Sequence, residues 1–210
     1  MINIMMDRLF RPEDIVFVVC SGASLRGFDF NQLIGQNVIA VNDTIHHLKE
    51  FSAFCAIDHQ TYEILHNKEI LLKAGRPMYA VMGYHETDIF RELGVIMMKN
   101  TGLSGIDYDE GCVRFGGNSG YFALGMAIQL GAKDIRILGM DLGSYSSDDD
   151  QYFYGRDHHN DRVTYRSYSH LIPLFDDFAR DLRDDIRVTN YSMCSAINVF
   201  PKKPLSEIFA

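Results

Sequence analysis

The stretch "RFGGNSGYFALGMAIQLGAKDIRILGMDL", residues 114–142, decides how the rest of the chain is read. Its opening is polar and rich in glycine. A run with apolar residues at helical spacing follows and closes on Gly131, a suitable C-cap. Then comes a short apolar strand, "DIRILGMDL", which leaves on Asp141. A helix feeding directly into a buried strand is the repeating unit of an α/β domain.

Strands of the same kind recur on both sides. "DIVFVVCSG", "NVIAVNDT", "FSAFCAIDHQ", "RPMYAVMGY" and "DIRVTNYS" are short apolar runs stopped by polar or glycine-rich turns. Continuous apolar runs indicate strands covered on both faces, as in a parallel sheet. "LIPLFDDFARDLRDD" is amphipathic, with Leu171, Leu174, Phe175, Phe178 and Leu182 on one face. The alternation predicts a single Rossmann-like α/β domain over residues 1–210, a doubly wound, mostly parallel sheet. The polar segment 143–170 is expected to be a lid or active-site loop within it. "FPKKPLSEIFA" is a proline-punctuated tail with about one helical turn.

The polar residues collect where these strands end. Ser21, Gly22 and Ser24 follow the first strand, Asn42 and Asp43 the second, Asp58 the third and Asp141 the fifth. Open α/β sheets bind ligands beyond the carboxyl ends of their strands. In "GGNSG", Asn118, Ser119 and Gly120 stand at the mouth of a helix, where amides and a hydroxyl can meet an anion. Arg114, just before them, can pair with a carboxylate or phosphate in a forked geometry. "CSGASL" matches neither the dinucleotide-binding glycine pattern nor a P-loop.

Composition narrows the function. The chain has 210 residues, 47% hydrophobic, and a net charge of −8. An acidic chain does not coat nucleic acid, which calls for a surplus of Lys and Arg. Cys20, Cys55, Cys112 and Cys194 are scattered and form no CxxC pair, so neither a metal site nor a disulfide framework is expected. The N-terminus lacks the layout of a signal peptide, and no stretch reaches the roughly 18 apolar residues of a membrane helix. A cytoplasmic location is the expectation. Apolar positions near Phe209 can serve a homo-oligomer interface.

The central stretch resembles the signature of the bacterial CMP-sialic-acid-dependent sialyltransferases of glycosyltransferase family forty-two. In that pattern an Arg and a Ser-Gly pair precede a helix, then "LG-x-K-[ED]-I" and a strand ending "G-[IM]-D". "FVVCSGASLRGFDF" resembles the family's first strand and loop, with Ser21 and Ala23 where the family has Asn and Pro. "VNDT" falls at its Cys-Asn turn. The likeness runs from about Val16 to Pro204 and extends to a wider group of 6-hydroxymethylpterin pyrophosphokinase-like proteins and of phage and bacterial proteins. It implies a GT-A-like fold with a short lid. It also implies a nucleotide-sugar donor, CMP-linked in the sialyltransferases, and no metal or other cofactor.

The resemblance places nucleotide-binding roles on Ser21, Gly22, Ser24, Asn42, Asn118, Ser119, Gly120 and Asp141, and the second strand's exit adds Asp43. Asp58, Arg114, Tyr152 and Tyr154 become substrate-binding residues, the two tyrosines as a loose counterpart of the family's phosphate-binding pair. Family members use a histidine base, and here His158, His159 and His170 are available. Asp148, Asp149 and Asp150 form a solvated acidic run. Two alternatives stand beside a transferase. One is a pyrophosphokinase-like phosphotransferase using ATP and Mg²⁺; the other is a non-catalytic nucleotide-binding protein.

Overall fold

The computed structural model describes residues 7–83, 88–143, 152–155 and 168–210. Among them, eight strands form one sheet: β1 (Ile15–Val19), β2 (Asn37–Val41), β3 (Ala53–Cys55), β4 (Met78–Val81), β5 (Ile96–Gly102), β6 (Cys112–Arg114), β7 (Asp134–Leu138) and β8 (Arg187–Asn190). Their order is β6-β5-β4-β3-β2-β1-β7-β8, and every pairing is parallel. Beyond short 3-10 turns, the helices are α1 (Gln60–Glu63), α2 (Leu65–Ala74), α3 (Asp88–Leu93), α4 (Ser119–Gln129) and α5 (Ile172–Asp181). This is the doubly wound α/β domain that the alternation predicts. None of the helices is long and apolar enough to cross a membrane.

The chain lays down β1 to β6 outward in one direction, then returns to place β7 on the free side of β1. The crevice between the loops leaving β1 and β7 is therefore the topological switch point, where such sheets bind ligands. α4 makes the return. It crosses from β6 over β2 and β1, and its Tyr121 packs edge-on against Phe175 and Phe178 of α5. A helix caught between a sheet and another helix must be apolar all round, and Ser119 through Ala127 are buried without a break. The opposite face of the sheet is covered by Tyr62, Leu71, Phe90 and Leu93 from α1 to α3, and by Ile208 of the C-terminal tail.

α5 explains its own amphipathic pattern: Phe175 and Phe178 are buried while Asp176, Arg180 and Asp181 are exposed. Beyond β8 the tail follows that strand, with the Asn190 amide donating to Pro201 and the Lys203 amide to the Asn190 carbonyl. A 3-10 turn, Leu205–Glu207, then brings the Ile208 carbonyl to the Arg136 guanidinium. The Phe209 ring meets Phe17 edge-on and stays half exposed.

Candidate functional site

At the switch point lies a cleft of about 540 Å³, open to solvent. Residues from the exits of β1, β2 and β7 and from the start of α4 line it, together with Tyr152 and Tyr168. Of the residues singled out in the sequence, Ser21, Gly22, Asn42, Asn118, Ser119, Gly120, Asp141 and Tyr152 come together here. The separate strand exits thus converge on one concavity.

The exits are tied to one another by backbone bonds. After β1 the Cys20 amide donates to Leu138 and the Gly22 amide to Gly139, at 2.8 and 2.7 Å. Gly22 has to be glycine: a Cβ there would lie 2.6 Å from the Asp141 Cγ and closer still to the Gly139 carbonyl oxygen. Tyr152 forms an antiparallel bridge with Gly22, and the Phe153 amide donates to Ser21. Segment 152–155 is thereby fixed along the β1 loop at the cleft wall.

Asp141 is the buried anchor of this arrangement. Its Oδ2 accepts the Ser24 amide at 2.8 Å, and its Oδ1 accepts the Ser24 and Ser192 hydroxyls at 2.6 and 2.8 Å. Hydrogen bonds to an ionised group contribute about 1.5–3 kcal/mol each. The carboxylate so joins the exits of β1, β7 and β8. Its oxygens are spent on the protein, and Ser24, whose hydroxyl turns toward Asp141, is not among the lining residues.

The start of α4 differs from expectation in one respect. The amides of "GGNSG" were expected to face an anion, but Asn118 is the N-cap and its Oδ1 takes the Gly120 and Tyr121 amides at 2.8 and 3.1 Å. That choice leaves the Asn118 side-chain NH₂ as the donor on the cleft. The Ser119 hydroxyl accepts the Ile57 amide at 3.1 Å, so its own proton is available to a ligand.

Asn42 stands out on the opposite wall. Its backbone is left-handed, φ 53°, and its Oδ1 is buried without a hydrogen-bond partner. Among the described residues only Leu142, φ 49°, is another non-glycine with positive φ, and it too lines the cleft. Strained backbone persists where the surroundings hold it, and it gathers at functional sites.

Other residues named in the sequence lie elsewhere. Arg114 ends β6 at the far edge of the sheet, and its guanidinium donates to the Thr101 carbonyl on β5. The sequence places it beside the helix mouth, but the strand directs its side chain along its neighbour. Asp58 is exposed, and Asp43 accepts from Asn67 of α2 at 3.2 Å. Tyr154 stacks between Tyr152 and His47 rather than lining the cleft. His170 sits exposed in the 3-10 turn Ser169–Leu171. His158 and His159, and most of segment 143–170, fall outside the described residues.

Tyr168, Cys20, Met140 and Leu142 line the cleft without having been singled out for it. Tyr168 follows the acidic segment, beyond any periodic pattern. Cys20 carried a signal in its place at the end of the first strand. Burial, reinforced by the neighbouring Asp141 charge, pushes the Cys20 thiol far above its ordinary value, so it stays protonated and unreactive at neutral pH. Cys55 and Cys112 are also buried and Cys194 is exposed. Titration of the native protein with a disulfide reagent at pH 8 is expected to modify one thiol, Cys194, and to reach all four only in denaturant. Prompt modification of Cys20 would contradict this burial.

The fold that carries this cleft is shared with sialyltransferases and other glycosyltransferases. The glycosyltransferase MAf from Magnetospirillum magneticum AMB-1 superimposes on 95% of the chain with a TM-score of 0.60 at 15% identity. The chain spans 34% of that protein's length. The sialyltransferase CstII from Campylobacter jejuni, solved with cytidine-5′-monophosphate, matches 91% of this chain and 86% of its own, with a TM-score of 0.55 at 14% identity. The monofunctional alpha-2,3-sialyltransferase Cst-I from the same organism gives 0.57 over 90% of this chain and 80% of its own at 13% identity. No protein-family profile and no curated sequence matches the chain. At such identities the likeness is one of fold.

Proposed function

We propose that the protein is a nucleotide-sugar-dependent glycosyltransferase of the sialyltransferase-like kind, and that the cleft holds the nucleotide and its phosphate. One observation carries this reading: the cleft offers uncharged hydrogen-bonding groups at a topological switch point. The Asn118 NH₂, the Ser119 hydroxyl and the Asn42 carboxamide are set there by bonds or strain that commit the rest of each residue to the protein. Among the described residues that line the cleft, none is Lys or Arg. Neutral donors of this kind suit a single phosphate that departs with a nucleoside.

The donor set also favours transfer without a metal. Among the described lining residues the one carboxylate, Asp141, has both oxygens engaged by Ser24 and Ser192. A histidine takes the proton from the acceptor hydroxyl as general base. The fold likeness to a sialyltransferase solved with cytidine monophosphate makes CMP the natural probe.

Isothermal titration of the protein with CMP tests the reading. Saturable binding is expected, unchanged by EDTA, and at 100 times Kd the ligand should stabilise the fold by about 2.7 kcal/mol. No binding of CMP, or a response only to ATP with Mg²⁺, would replace the transferase by the phosphotransferase.

A further inference from the structure

Two strained or unpaired features meet at the exit of β2, and one residue outside the cleft connects them. Asn67 lies in α2 and is fully buried. Its Nδ2 donates to the Asp43 Oδ1 at 3.2 Å and to the Thr61 carbonyl of α1 at 2.8 Å. Its Oδ1 is buried with no partner. Asp43 directly follows Asn42, the left-handed residue on the cleft wall whose own Oδ1 is also buried and unpaired.

Asn67 sits in the first turn of α2, and a buried acceptor with no donor costs stability. A leucine there would remove the unpaired acceptor. What asparagine gives at position 67 is a fixed point: it holds the Asp43 side chain and so the turn Asn42–His46. The same turn is held from the other side by the Thr44 hydroxyl, which receives the Val41 amide at 3.1 Å and donates to the Val41 carbonyl at 3.0 Å. Stacked rings of His46 and His66, 4.8 Å apart, join the same turn to α2. The residues on both sides of Asn42 are thus tied down.

We infer that Asn67 is a positioning residue: acting through Asp43, it keeps Asn42 in its left-handed conformation and presents its carboxamide to the ligand. The inference rests on the reading of the cleft as a nucleotide site. Asn67 does not touch the ligand, and its effect on binding passes through Asn42.

A double-mutant cycle on the full chain tests this, using the wild type, Asn67→Leu, Asn42→Gly and the pair. Each is titrated with CMP and unfolded in urea. Asn67→Leu is expected to weaken CMP about tenfold when Asn42 is present, the order of one mispositioned hydrogen bond, and to have no further effect when position 42 is glycine. Its urea midpoint should be no lower than that of the wild type. Asn42→Gly should raise the midpoint, because glycine accepts positive φ without strain, and should raise it less in the Asn67→Leu background. Where leucine is not accommodated, Asn67→Ala carries the same cycle. Unchanged CMP affinity for Asn67→Leu, or an equal loss in both backgrounds, overturns the inference, as does strict additivity of the urea midpoints. If the wild type binds no CMP, the nucleotide reading falls, and the urea measurements alone decide whether Asn67 holds Asn42.

Discussion

Asp141→Ala is expected to lower the stability of the protein by about 3–5 kcal/mol, at the upper end for a single substitution. The alanine would leave the Ser24 amide and the Ser24 and Ser192 hydroxyls without their shared acceptor. The two hydroxyls keep each other as partners at 2.5 Å, and the charge-assisted bonds lost contribute about 1.5–3 kcal/mol each. Asp141→Asn keeps the volume and one acceptor but turns an NH₂ toward an existing donor, so it should fall between wild type and alanine. Urea denaturation of the three proteins measures the series. A loss under about 1 kcal/mol for alanine would mean that the anchor across β1, β7 and β8 contributes little.

The histidines supply the largest expected effect on rate. If sugar transfer is the activity, loss of the general base should slow it about 10²–10⁴-fold while donor affinity changes little. His158, His159 and His170 are the proposed bases, and single alanine variants assayed for donor hydrolysis and transfer separate them. The base must be neutral to accept a proton. Activity should therefore be lost toward acid pH and recover as pH rises. Full activity in all three variants would remove the histidine mechanism. CMP binding with no turnover in the wild type would instead make the protein a nucleotide-binding module.

Much of the sheet was legible because buried parallel strands are written as unbroken apolar runs. Val16 to Val19 and Val38 to Val41 have no other comfortable place to go. β5 was not legible: "IMMKNTG" carries Lys99 and Asn100 within a partly buried strand near the sheet's edge. β6 escaped because its three residues lie among acidic residues and glycines, whereas the equally short β3 sits in a longer apolar run. At the site, the positions of Ser21, Asn42, Asn118 and Ser119 followed from the rule that strand and helix ends face the crevice. Their tasks did not follow. Whether Asn118 caps the helix, whether Asp141 faces a ligand or Ser192, and where the Arg114 guanidinium lies are decided by partners far away in sequence. Arg114 is the plainest case: it stands near the first turn of α4, yet its guanidinium bonds to the Thr101 carbonyl and it does not line the cleft.

The pairing of β1 with β7 has a consequence for assembly. Ile15 meets Asp134 and Val19 meets Leu138, while β2 occupies the other side of β1. During synthesis the first six strands leave the ribosome with one flank of β1 bare, and that flank stays bare until β7 emerges. Contacts so distant along the chain close slowly, and exposed strand edges on unfinished chains invite misassembly. The cleft has no precursor in the growing N-terminal portion. Its wall between the β1 and β7 exits comes into being only when the returning strand docks.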